Sequence, residues 1–198
     1  MNKENKNIQA IIEKSIATKQ QIITDKTLLA TLQEISDTIV ACYKNGGKVL
    51  FCGNGGSAAD AQHLAAELSG RFYFDRPPLE AEALHVNSSY VTAVANDYSY
   101  NNIYSRYVSG VGKAGDVIIG LSTSGNSENI VRALKEAKNK NMITVGMTGK
   151  SGGKMSGLSD YLLNVPSTDT PRIQESHIML GHIFCEIVEE QLFGNNKA

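Results

Sequence analysis

The stretch Lys48-Val49-Leu50-Phe51-Cys52-Gly53-Asn54-Gly55-Gly56-Ser57 decides the fold. Its first five residues form a short apolar run bounded by glycine, which reads as a buried strand. The glycines end the strand and let the backbone turn sharply. The Ala- and Leu-rich stretch from Ala58 to Leu68 then reads as a helix. A strand, a Gly-rich turn and a helix make the opening unit of an α/β fold.

The same pattern recurs downstream. Ala81 to Val86 reads as a weaker strand and Asp116 to Leu121 as a strong one. The turn Ser122-Thr123-Ser124-Gly125-Asn126-Ser127 leads into a helix over 128–140. Met142 to Met147 is a further strand, closed by Thr148-Gly149-Lys150-Ser151-Gly152-Gly153. Asp160 to Val165 is the fifth, and Arg172 to Phe193 a long terminal helix. Apolar strands alternating with helices predict a parallel sheet covered on both faces. The expected fold is a three-layer α/β/α sandwich of about five strands.

Upstream, Ile8, Ile11, Ile12 and Ile16 recur at helical spacing, as do Leu28, Leu29, Leu32, Ile35, Ile39 and Val40. Thr24 and Asp25 are candidate caps between the two helices, and Asn45-Gly46-Gly47 stops the second. Residues 1–198 thus read as one domain, with a helical pair over 1–45 packed on an α/β core over 46–198.

Composition narrows the function. The 198 residues carry 19 Lys plus Arg against 20 Asp plus Glu, a formal charge of -1. That balance argues against nucleic-acid binding and against a polybasic membrane anchor. No apolar run approaches the ~20 residues of a membrane span, and the polar start MNKENKNIQA lacks a signal core. Cys42, Cys52 and Cys185 are odd in number, widely spaced and without a CxxC pair, as for buried thiols in a reducing compartment. The expected location is cytoplasmic.

In open α/β sheets, ligands bind at the carboxyl ends of the strands, where the Gly- and Ser-rich turns fall. The 53–57 turn presents backbone N–H groups and a helix start to an anion; the plainer reading is a helix cap, with Ser57 and Asp60 fitting a capping box. The 122–127 turn offers four hydroxyls to phosphate oxygens, or caps its helix through Ser127. The 148–153 turn is not a P-loop: Thr144 stands where its first glycine belongs, and Met155 follows Gly153-Lys154. Gly53-Asn54-Gly55 leads to Ala58, so the dinucleotide fingerprint fails too.

Four histidines are present. His63 and Glu67, at i and i+4, share a helix face and can share a proton or a metal, or form a plain surface pair. Gln174 and His182 lie two turns apart on the terminal helix, offset by roughly 80°. Imidazole, carboxylate and amide donors would suit a divalent metal, zinc first. His85, read within the second strand, and His177 are expected to be structural.

With these motifs in view, the sequence resembles the sugar isomerase (SIS) domain family, and within it the phosphoheptose isomerases. The resemblance spans nearly the whole chain. It rests on Cys52-Gly53-Asn54-Gly55-Gly56-Ser57, His63-x-x-x-Glu67-Leu68-x-Gly70-Arg71, Ala95-Asn96-Asp97, the 122–127 and 148–153 turns, and Arg172-Ile173-Gln174-Glu175 with His182. It implies a flavodoxin-like fold and an aldose–ketose isomerase acting on D-sedoheptulose 7-phosphate. The product would be D-glycero-D-manno-heptose 7-phosphate, the first step of nucleotide-activated heptose biosynthesis for lipopolysaccharide or capsule. It also implies a homotetramer with active sites between subunits. Glu67 and His182 would be the acid/base pair, and His63, Glu67, Gln174 and His182 would bind one zinc per subunit. Asn54, Gly55, Gly56, Ser57, Glu67, Asn96, Asp97, Ser122, Thr123, Ser124, Ser127 and Gln174 would hold substrate. Pro171 departs from family members that carry Asp before the Arg-Ile-Gln motif. The competing expectation is a non-catalytic sugar-phosphate-binding regulator or a replication-initiation partner of the same family, which needs the turns but not Glu67, Gln174 and His182 together.

Overall fold

The computed structural model describes residues 7–194. The opening MNKENK, part of the polar segment read above, and the last four residues lie outside the described residues. Five strands, β1 (Val49–Gly53), β2 (Ala81–Ala83), β3 (Val117–Leu121), β4 (Ile143–Thr148) and β5 (Tyr161–Asn164), form one sheet. Their order is β2-β1-β3-β4-β5 and every pair is parallel. This is the flavodoxin-like order, whose switch point falls between β1 and β3.

Seven α-helices cover the sheet: α1 (Ile8–Thr24), α2 (Lys26–Lys44), α3 (Gly56–Ser69), α4 (Ser88–Asp97), α5 (Ile103–Val111), α6 (Glu128–Asn139) and α7 (Thr170–Phe193). Alternation along the strands divides the core in two. Val49, Phe51, Val117 and Ile119 pack against α2, α3 and α7. Leu50, Cys52 and Ile118 face the opposite layer of α4, α5 and α6. Strands buried on both faces explain the continuous apolar runs of the sequence. Phe51 stacks on Phe184 with centroids 6.4 Å apart, tying β1 to α7. Truncating such a buried ring costs about 3–5 kcal/mol, so Phe184→Ala would loosen α7 first.

The helical pair forms as its periodicity predicts. Asp25 caps α2 by accepting the Leu28 N–H at 3.0 Å, while Thr24 is the last residue of α1. All three cysteines are free and buried. Burial pushes the Cys52 thiol up to about 12.

Helices α4 and α5 are absent from the sequence reading. Their segment is rich in Asn, Ser and Tyr and weak in apolar periodicity. Here a cap and aromatic packing take over. Asn87 accepts the Tyr90 N–H at 3.0 Å, and the Tyr90 and Tyr107 rings meet edge to face. The expected strand over 81–86 stops at Ala83, because the Val86 N–H turns back to the Ala83 carbonyl. His85 therefore sits in a turn rather than a strand. Burial lowers its pKa, and its Nδ1 is buried with no partner among the described residues.

Candidate active site

Gly53 at the end of β1 pairs in register with Leu121 at the end of β3. The glycine turn and the hydroxyl turn therefore leave neighbouring strands at the same level, beside the switch point. Asn54 and Asn129 lock them together. Asn54 Nδ2 donates to Asn129 Oδ1 at 2.9 Å, and Asn129 Nδ2 donates to Asn54 Oδ1 at 2.8 Å. The Tyr100 hydroxyl also donates to Asn54 Oδ1, at 3.0 Å. Asn129 is 2% exposed, so this pairing satisfies a buried amide. Most of the Asn54 side chain is thereby committed to the fold, with one N–H left for a ligand. Asn96 and Asp97, exposed at the end of α4, stand just before Tyr100 in the chain.

Neither α3 nor α6 has a side-chain bond at its cap residue, and their first turns are partly engaged: the Ser57 N–H donates to the Asn54 carbonyl at 3.0 Å and the Ile130 N–H to Asn129 Oδ1 at 3.0 Å. Helices α1, α2 and α4 are capped by the side chains of Asn7, Asp25 and Asn87. Helix α3 begins after Gly55, whose φ of 56° suits glycine and which has no side chain to offer. Ser57 lies within the first turn rather than at the cap, so the expected Ser57–Asp60 capping box does not form. Ser127 does occupy the cap position of α6, yet its hydroxyl makes no capping bond. It meets the Ser122 hydroxyl at 2.9 Å, and Ser124 lies 3.4 Å from Ser122. Two helix starts and a hydroxyl cluster on adjacent turns present partial positive charge and O–H donors to one edge of the sheet, features that suit an anion.

The 148–153 turn supports this cluster from behind. The Gly149 N–H donates to the Thr123 carbonyl at 3.0 Å, and Met155 N–H to the Gly125 carbonyl at 3.1 Å. Its role in this fold is to brace the hydroxyl turn.

The chemical groups gather further along α3. His63 Nε2 lies 2.9 Å from His182 Nε2 and 3.2 Å from Glu67 Oε1. One donor atom each from His63, Glu67 and His182 falls within a 4.8 Å circle. The residues of α3 and α7 come from 119 positions apart. Gly181 makes the meeting possible: a β-carbon there would lie 2.6 Å from the Leu64 methyls. The helices thus touch backbone to side chain right beside His63 and His182. Gln174 sits two turns nearer the start of α7, its amide against Gly56, where a β-carbon on Gly56 would collide with it. Asp60, one turn before His63, has its pKa raised by burial and pulled back by His63.

Two imidazole nitrogens and a carboxylate oxygen aimed at one point cannot all be satisfied by the single proton between His63 and His182. A shared cation resolves that crowding, and this donor set is one that open zinc sites use. The residues present fit the metal that the resemblance implies.

His177, by contrast, is fully buried, with Nε2 3.2 Å from the Thr148 carbonyl. Burial pushes its pKa down to about 4, so it stays neutral and structural. Pro171 falls in the first turn of α7, where its missing N–H costs nothing.

The molecule is a parallel α/β domain with Gly- and Ser-rich turns at its switch point and a carboxylate and two imidazoles gathered between α3 and α7. The SIS domain pattern matches residues 9–149. A phosphoheptose isomerase 2 of Campylobacter jejuni is 54% identical over 180 residues, which cover 91% of this chain and 90% of that protein. The solved phosphoheptose isomerase of Francisella tularensis superposes with a TM-score of 0.90 at 36% identity, covering 96% of this chain and all of that one. That of Neisseria gonorrhoeae gives 0.86 at 42%, covering 92% and 97%. The chain belongs to the SIS domain family, in its phosphoheptose isomerase branch.

Proposed function

We propose that this chain isomerises D-sedoheptulose 7-phosphate to D-glycero-D-manno-heptose 7-phosphate, feeding nucleotide-activated heptose synthesis for lipopolysaccharide or capsule. The observation that carries the reading is the convergence of His63, Glu67 and His182 along the helix that leaves the glycine turn. The non-catalytic alternative is not favoured, because a pure binder has no use for that convergence.

The turns hold the phosphate, and the sugar extends along α3 toward Glu67. The Glu67 carboxylate takes a proton from C1 of the ketose, leaving an enediol across C1 and C2. His182 accepts the proton of the C1 hydroxyl and delivers one to the C2 oxygen. Glu67 then returns its proton to C2, giving the aldose with no net change in atoms. General acid–base assistance of this kind is worth about 10²–10⁴ in rate. His63, Glu67 and His182, with Gln174 as fourth donor, would hold one zinc per subunit, which when bound would polarise the carbonyl as a Lewis acid. The contribution of Gln174, whose amide lies against Gly56, is tested separately by Gln174→Ala.

Residues 1–198 act as one SIS domain, with helices α1 and α2 as its appendage. A homotetramer with sites at subunit interfaces is supported by the exposed stripe of Ile8, Ile12, Ile16 and Ile23 on α1. A cytoplasmic location is supported by the three buried free thiols. No helix among the described residues is long and apolar enough to cross a membrane.

The test is incubation with sedoheptulose 7-phosphate, with and without a chelator, following the aldose by NMR. Product from the untreated protein is expected, with a loss on chelation that added zinc reverses. No product from metal-replete protein would return the chain to the binding class. Full activity after thorough chelation would remove the metal and leave the Glu67–His182 pair.

A further inference from the structure

Behind the catalytic cluster lies an ion pair that the chemistry above does not use. Arg76 Nε donates to Glu189 Oε1 at 2.8 Å, and both side chains are 1% exposed. The remaining donors of Arg76 go to backbone carbonyls, one to that of Pro77 at 3.1 Å and the others to the end of α3. One terminal nitrogen donates to the Glu67 carbonyl at 2.8 Å, the other to those of Leu68 at 2.8 Å and Gly70 at 3.2 Å. A guanidinium thus closes the last turn of α3, whose carbonyls have no helical partners. That turn carries Glu67.

The other half of the pair acts on His182. Glu189 stands seven residues, or two turns, beyond His182 on the same face of α7. Its carboxylate accepts the N–H groups of Phe72, Tyr73 and Phe74 at 2.9, 2.6 and 3.0 Å. This clasps the loop after α3 against α7 and brings the Phe72 ring 5.8 Å from the His182 ring. Burial alone would raise the Glu189 carboxyl, but the three amides and the guanidinium hold it below its usual value.

We infer that the Arg76–Glu189 pair is a positioning device that sets the separation of Glu67 and His182. One partner grips the backbone of Glu67, and the other fixes the ring packed on His182. Both belong to the junction of α3 with α7, away from the turns that bind phosphate. A misplacement on the order of 1 Å at reacting groups costs about 10²-fold in rate. Removing a group that orients a site residue costs about 10–100-fold.

Two variants test this. Arg76→Lys keeps the charge but loses the planar fork. Glu189→Gln removes the charge but keeps an amide oxygen for the N–H groups of Phe72, Tyr73 and Phe74. Thermal melting identifies which variants are folded. For each folded variant, kcat is expected to fall roughly 10–100-fold with KM within about threefold. The imidazole NMR signals of His63 and His182, assigned with His63→Gln and His182→Gln, are expected to shift. A folded variant with kcat within twofold of wild type and unmoved imidazole signals would overturn the inference. So would kcat and KM worsening together, which marks a merely structural pair. The kinetic arm rests on the isomerase reading, while the imidazole signals do not. A wild-type chain without turnover would sink that reading and leave the signals to decide on the pair.

Discussion

The two ends of α3 are built on opposite principles. Its start, with the turn before α6, is made of backbone amides and hydroxyls, while the nearby Glu128 is paired with Arg132 and Lys154. Its second half carries ionisable side chains, His63 and Glu67, which meet His182 of α7 and are backed by the buried Arg76–Glu189 pair. Under the proposed function, neutral donors would hold the phosphate without a long-range field, which agrees with a net charge of -1. Proton transfer needs groups that change charge, so those groups need a fixed scaffold around them. Grip and chemistry should therefore separate under mutation.

The largest effect belongs to the chemical end. His182→Asn should lower kcat by about 10²–10⁴ while substrate affinity stays within a few-fold, as steady-state kinetics and direct binding will report. Gly181→Ala comes next. Its methyl would meet Leu64 at 2.6 Å and push α7 from α3. Overpacking of this kind costs about 1–3 kcal/mol, visible as a lowered Tm, and the wider gap should reduce kcat more than it raises KM.

The grip end should respond in the other parameter. Ser122→Ala with Ser124→Ala removes two of the four hydroxyls of that turn. Hydrogen bonds to a charged group contribute about 1.5–3 kcal/mol each, so KM should rise at least tenfold with kcat far less affected. Asn129→Ala breaks the lock between the turns and should act the same way more weakly, since no phosphate donor is lost. Equal losses in kcat and KM from either substitution would erase the distinction between the two ends.

The smallest effect concerns acid. The unfolded chain protonates His177 near 6.5, while the folded chain refuses that proton until about 4. Protons then favour the unfolded state between those values, so stability falls as pH drops from 6.5 to 4. The shift corresponds to roughly 3 kcal/mol at most. His177→Gln should flatten that part of the stability profile in denaturant titrations at stepped pH.

The same division governs what the sequence reveals. The turns are contiguous, so Gly53–Ser57 and Ser122–Ser127 announce themselves between a strand and a helix. The strands are legible because burial on both faces leaves no polar alternation to confuse them. His63 and Glu67 are visible as an i, i+4 pair, but nothing local tells that His182 lies 2.9 Å away. The supports are harder still. Arg76 reads as an ordinary loop cation, and Glu189 as one of several acids on a terminal helix. Asn129 reads as a surface residue of α6 because its partner is 75 positions distant. Gly181 gives the one usable signal, a glycine inside a helix where Ala would be preferred by about 1 kcal/mol. Helices α4 and α5 escape because their apolar faces are short and interrupted by Asn, Ser and Tyr, although Val94, Ile103, Tyr104 and Val108 are buried against the sheet.

The central claim is that Glu67 moves the carbon-bound proton while the turns alone hold the phosphate. Glu67→Gln tests it most directly, by measuring sedoheptulose 7-phosphate turnover and binding on the same preparation. The account predicts turnover lower by about 10²–10⁴ with the substrate still bound. Near-normal turnover by that variant, or loss of binding together with turnover, would contradict it.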